Sequence, residues 1–115
     1  EGGEVTKQQL EAYPEIKTQL LPQPANEVYI AAEKAIEALG WERVNDGALP
    51  NTLEATDTTA WFGFKDDVVI RLTAKSDDTL VDIRSKSRVG KSDLGKNAER
   101  IETFMAELRN QLGYH

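Results

Sequence analysis

The stretch WFGFKDDVVIR at residues 61–71, followed by a turn at Asp77-Asp78 and by VDIRSKSRVGKSD at residues 81–93, decides how this chain folds. Val68, Ile70, Leu72 and Ala74 alternate with Asp67, Val69, Arg71 and Thr73; beyond the turn, Val81 and Ile83 alternate with Asp82, Arg84, Lys86 and Arg88. Successive strand side chains point to opposite faces, so each run has the pattern of a half-buried strand, and two such runs around a turn make a hairpin. Placing Asp77-Asp78 at the tip predicts Ile70 opposite Ser85, Leu72 opposite Ile83 and Ala74 opposite Val81 on the apolar face. The same register predicts Arg71 opposite Arg84, Val69 opposite Lys86, Asp67 opposite Arg88 and Thr73 opposite Asp82 on the other face. Two guanidiniums facing each other across a ladder repel, so this register calls for a compensating group. A slip of one residue would bury the arginines instead.

The 115 residues suffice for one core and are too few for two, so the expected organisation is a flexible segment at residues 1–12 and one domain over 13–115. No apolar run approaches the ~20 residues that span a bilayer, and no basic, apolar leader is present. The chain opens on Glu1-Gly2-Gly3 without a methionine, as a processed product or an excised piece would, which leaves room for a removed anchor or leader. With no cysteine, disulfides and thiolate chemistry are excluded. The net charge is −6, but unevenly spread: residues 1–60 carry eleven acids against four bases, and residues 61–115 nine against ten. Six bases (Arg84, Lys86, Arg88, Lys91, Lys96, Arg100) between residues 84 and 100 meet only Asp93 and Glu99. An acidic whole argues against nucleic acid as a partner, while the basic hairpin is suited to a small anion.

Outward from the hairpin, Ile16 to Leu21 lies between Pro14 and Pro22 and reads as an edge strand. Pro24 suits a helix start, and Val28, Ala32, Ala35, Ile36 and Leu39 recur at helical spacing up to Gly40, predicting a helix over 24–39. Trp41 to Val44 is a short strand; turn residues follow; Thr52 to Ala60, rich in Thr, is another strand. Leu94, Ala98, Ile101, Met105, Leu108 and Leu112, with Phe104, form the stripe of a long final helix that needs a sheet to lie on. The expected fold is therefore α+β: a two-layer sandwich of four or five antiparallel strands with two helices on one face, in the order β-α-β-β-β-β-α. That order matches a reduced helix-grip arrangement better than a ferredoxin-like one.

The chemistry is constrained by what is missing. The only histidine is His115, the last residue, so a serine nucleophile has no base and zinc has a poor ligand set. Asp66-Asp67 and Asp77-Asp78 are adjacent strand or turn residues, so neither pair readily forms a two-carboxylate dyad, and Asp77-Asp78 offers at most a weak Ca²⁺ or Mg²⁺ site. Gly90-Lys91-Ser92 lacks the upstream glycine of a nucleotide-hydrolysing phosphate loop. It does precede the final helix, where Ser92 or Asp93 can cap and where Lys91 and Arg88 flank the positive end of the helix dipole. Arg71, Arg84, Lys86, Arg88, Gly90, Lys91 and Ser92 are thus the candidate anion site. The ordinary alternative is a solvated charged face and a capped helix with no ligand. Trp61, Phe62 and Phe64 around Gly63 either close one end of the core or form a pocket wall.

Tyr13-Pro14-Glu15-Ile16, Leu39-Gly40-Trp41-Glu42, the run from Trp61 to Arg71, and Asp82-Ile83-Arg84-Ser85 through Ser87-Arg88-Val89-Gly90-Lys91-Ser92-Asp93-Leu94-Gly95-Lys96-Asn97-Ala98 together make the chain resemble the family named domain of unknown function 1499. The likeness covers about residues 13 to 110 and is most specific at F-G-F-K-D-D and S-R-V-G-K-S-D-L-G. The family has no assigned activity, so the likeness carries over no catalytic residue, and no cofactor is expected. It implies a periplasmic or membrane-associated setting in the cell envelope, with the domain placed after a lipoprotein signal or membrane helices.

Three functions follow as expectations. The first is a non-catalytic envelope domain that binds a small anionic or amphipathic ligand, or a protein partner, through the basic sheet face. The second is an enzyme with a pocket between sheet and final helix, using Lys65, Asp66 and Tyr13 as acid and base groups. The third is an assembly module that uses an exposed sheet edge.

Overall fold

A computed structural model describes residues 15–44, 49–58, 65–87 and 94–114. Five strands and two helices follow in the order β1 (Glu15–Leu21), α1 (Ala25–Ala38), β2 (Glu42–Val44), β3 (Thr52–Thr58), β4 (Lys65–Lys75), β5 (Asp78–Ser87) and α2 (Leu94–Gln111). The strands form one antiparallel sheet in the spatial order β1-β5-β4-β3-β2, with both helices packed on one face. β2 to β5 are a meander of sequential neighbours, and β1 returns to pair with β5, which leaves β1 and the short β2 as the edges. This is the α+β architecture that the periodicity predicts, in a reduced helix-grip-like order. Among the described residues no helix is long and apolar enough to cross a membrane.

Each element follows from local chemistry. Pro24 sits at the N-cap of α1 with extended backbone, and its carbonyl accepts from the Glu27 and Val28 N–H groups. The helix stops where Gly40 takes φ +76, a left-handed conformation that glycine adopts without a Cβ clash. Immediately after it, Trp41 turns back into the core and stacks on Phe104 of α2, ring centroids 5.8 Å apart at 18°. Val68, Ile70 and Leu72 of β4 and Val81 and Ile83 of β5 face Val28, Ala32, Ala35 and Ile36 of α1 and Ile101, Phe104, Met105 and Leu108 of α2 in one buried cluster. The aliphatic face of the hairpin is thus the face that the helices cover, as the alternation requires.

The hairpin register differs from the expected one. The two-residue loop is Ser76-Asp77, with Lys75 paired to Asp78, so the tip lies one residue earlier than Asp77-Asp78. Ser76 carries the strain of the turn at φ +55. Moving the tip by one residue moves every pairing by two, which is the side-chain period, so the faces are unchanged while the partners change. Ile70 lies opposite Ile83, Leu72 opposite Val81, Ala74 opposite Thr79 and Ser85 opposite Val68. On the other face Arg71 lies opposite Asp82, Arg84 opposite Val69, Lys86 opposite Asp67 and Thr73 opposite Leu80, in place of Arg71 opposite Arg84 and Asp67 opposite Arg88. This register pairs aliphatics directly and sets opposite charges across the ladder, and the repulsive guanidinium pair that needed compensation does not occur.

Candidate functional site

The outer face of the sheet, away from the helices, carries Thr52, Glu54 and Thr56 of β3, Lys65, Asp67, Val69 and Arg71 of β4, and Asp82, Arg84 and Lys86 of β5. Arg71 and Arg84 are diagonal neighbours in the ladder, a spacing of about 7–8 Å that lets two guanidiniums converge on one group. They line a concave site of about 230 Å³ together with Leu49, Thr52, Glu54, Val69 and Asp82. The segment before β3 brings Leu49 over this face, and Asn51, at φ +54, accepts from the Leu72 N–H at 2.8 Å to hold it there.

Charge on this face is layered. Lys65, Arg71, Lys75, Arg84 and Lys86 are all exposed, whereas Glu54, Asp67, Asp78 and Asp82 are half-buried. Two of the carboxylates accept from neighbouring threonines, Asp82 from Thr18 at 2.9 Å and Asp67 from Thr56 at 3.2 Å. Arg71 and Arg84 take part in no ion pair or hydrogen bond among the described residues, although Arg71 lies directly across the ladder from Asp82, and Glu54 and Asp82 line the same concave site. Of the other candidates, Lys86 lies on the same face opposite Asp67. Arg88, Gly90, Lys91 and Ser92, and the aromatics Trp61, Phe62 and Phe64, lie outside the described residues, as do the caps Ser92 and Asp93.

The helix-covered face ends in a polar cluster that sequence reasoning missed. Asp57 and Asp66 are direct partners on β3 and β4, both turned inward, and two carboxylates across a ladder repel. Arg100 of α2 lies over them, its Nε donating to Asp57 at 2.9 Å and its Nη2 to Asp66 at 2.6 Å. Its Nη1 donates to Asn97 Oδ1 at 2.8 Å and to Ser85 Oγ at 3.2 Å, and Ser85 in turn donates to Asn97 at 2.7 Å. The Arg100 and Asp66 side chains are only 5% and 8% exposed, which makes this a buried ion pair, whereas Asp57 at 32% is partly screened by solvent. A buried guanidinium is tolerated only when its donors are met, and here four acceptors meet them.

Lys65 and Asp66 therefore point to opposite faces, and Asp66 is engaged by Arg100; the structure does not bring them together as an acid and a base, and Tyr13 is outside the described residues. The space between sheet and α2 is filled by Ile70, Ile83, Ile101, Phe104 and Met105. A second concave site, of about 320 Å³, opens at the end of this layer between Leu39, Trp41, Asp57, Lys96, Glu99, Arg100 and Thr103. Among the described residues no group of three metal-ligating side chains forms.

The fold is shared with solved structures of distant sequence. The adenylate sensor from AMP-activated protein kinase matches with a TM-score of 0.62 at 12% identity, over 78% of this chain and 93% of that one. CalU16 from Micromonospora echinospora matches at 0.58 and 15% identity, over 81% and 70%. The vertebrate conserved region of human METTL16 matches at 0.57 and 11% identity, over 86% and 100%. At such identities the likeness concerns architecture alone. No curated protein sequence matches this chain. Kinship is shown instead by the match of residues 3–108 to the family described as "Protein of unknown function (DUF1499)", and the chain belongs to that family.

Proposed function

We propose that this is a non-catalytic, envelope-associated domain that binds a small anionic amphipathic ligand on the outer face of its sheet. The observation that carries the reading is the pair Arg71 and Arg84, exposed and without ion-pair partners among the described residues, beside the apolar Leu49 and Val69 in one concave site. Guanidinium forks recognise carboxylate and phosphate groups by paired, charge-assisted hydrogen bonds, and the neighbouring aliphatics favour a ligand whose anionic head carries an apolar chain. Ile16 and Leu20 of β1 and Leu80 of β5 extend the aliphatic surface on the same face. The envelope setting rests on the family likeness.

The test is a titration of the protein with decyl phosphate, followed by amide NMR shifts, against decyltrimethylammonium as the opposite-charge control. Saturable shifts at Val69, Arg71 and Arg84 with decyl phosphate alone are expected. Arg71→Glu combined with Arg84→Glu should weaken that binding by at least about tenfold, because each lost charged hydrogen bond is worth about 1.5–3 kcal/mol. Equal responses of the wild type and the double variant, or of the two detergents, refute the reading.

A further inference from the structure

The exposed edge of the sheet carries an inference independent of the anion site. β1 spans seven residues and pairs only on its β5 side; among the described residues no strand pairs with its other side. Ile16 and Leu20 stand on its outer face at 51% and 54% exposure, two of the few large aliphatics left in solvent. An edge of this length, with an aliphatic on either side of Thr18 on its outer face, is a template for strand addition. Nature commonly blunts such edges with inward charges, but the inward residues of β1 are already engaged from within the fold. Lys17 pairs with Glu102 and Gln19 accepts from Arg109 at 2.9 Å, both partners on α2.

We propose that β1 pairs with β1 of a second copy of this chain, antiparallel about a two-fold axis through Thr18, to make a continuous ten-stranded sheet. The register follows from the sequence EIKTQLL. Directly opposite residues share a face, so for a two-fold axis perpendicular to the sheet only registers that match residues of equal parity keep both aliphatic faces together. Centring on Lys17 sets that lysine against its own copy, a like-charge pair. Centring on Gln19 brings Ile16 against Pro22 and shortens the ladder, since proline has no N–H to donate. Centring on Thr18 sets Ile16 against the second copy's Leu20 twice over, Lys17 against Gln19, and Glu15 against Leu21. No like charges meet, all seven residues pair, and four exposed aliphatics form one patch on the outer face.

The experiment is sedimentation velocity of the 115-residue chain over a concentration series, with cysteine pairing to read the register. A concentration-dependent dimer is expected. Thr18→Lys, which places two ammonium groups on the axis, should return it to monomer with an unchanged circular dichroism spectrum and only a small drop in melting temperature at low concentration from the lost Thr18–Asp82 hydrogen bond, a drop that Thr18→Val shares without abolishing the dimer. Because the chain has no cysteine, Ile16→Cys and Leu20→Cys chains mixed under oxidation should cross-link to each other, and much less to themselves, as disulfide geometry needs directly opposed residues. A strict monomer at every concentration overturns the proposal. So does a dimer indifferent to Thr18→Lys, or cross-linking that favours like with like.

Discussion

Two arginine environments on the two faces of one sheet show what burial does to the same side chain. Arg100, on the sheet-facing side of α2, is 5% exposed and gives hydrogen bonds to two carboxylates, an asparagine and a serine. Arg71 and Arg84, on the outer face, are exposed and make no such bonds among the described residues. Where water is excluded, an unmet guanidinium would be too costly, so the fold surrounds it, and its charge is spent on holding strand ends to a helix. Where water is present, the charge needs no internal partner and stays available to a ligand. Chemical capacity to bind is thus highest where structural demand is lowest, which is why the outer face is the functional candidate and the buried cluster is the clamp.

The strongest way to break this comparison is at Arg100. Arg100→Met leaves Asp66 buried and uncompensated beside Asp57, and should lower the unfolding free energy by about 3–5 kcal/mol in urea denaturation. Combining Arg100→Met with Asp66→Leu should recover much of that loss, since a buried pair replaced by apolar groups is often neutral; a double variant no better than the single one would mean that the pair is not the cause. Next in size, Asn97→Ala removes the acceptor shared by Ser85 and Arg100 and should cost about 1–3 kcal/mol by the same measurement. Ser76→Gly should raise stability by about 0.5 kcal/mol by relieving the left-handed backbone at the hairpin tip, whereas Asp78→Gly, a strand position, should lower it. The smallest stability effect belongs to the outer face, where the charge-neutral pair Arg71→Gln with Arg84→Gln, which sets no new carboxylate opposite Asp82, should stay within about 0.5 kcal/mol of the wild type while weakening alkyl phosphate binding. A large loss of stability there would erase the contrast between the faces.

The two faces also differ in how plainly they can be read from residues. Alternation along β4 and β5 assigns Arg71, Arg84 and Lys86 to the outer face with no knowledge of register, because a shift by two leaves parity alone. The signal for the buried cluster was present but polar, and so easily passed over. Asp57 shares parity with Leu53 and Ala55, Asp66 with Val68 and Ile70, and Ser85 with Val81 and Ile83, while Asn97 and Arg100 share the helical stripe of Ile101 and Phe104. Inward polar positions recurring on β3, β4, β5 and α2 mark a buried network, but which carboxylate meets which donor depends on strands separated by tens of residues.

What the sequence by itself determined is the list of elements, their order, the helix stop at Gly40, and which side of β4 and β5 is apolar; it did not determine the inward side of β1, where Ile16 and Leu20 face outward. The determined features depend on side-chain periodicity and backbone preference, which act over a few residues and need no distant partner. Tertiary structure alone decided the hairpin tip at Ser76-Asp77, the return of β1 to the far edge beside β5, and the convergence of Asp57, Asp66, Ser85, Asn97 and Arg100. Each of these is a choice between locally equivalent arrangements, settled by which direct pairings and packed contacts are best once the whole sheet is assembled.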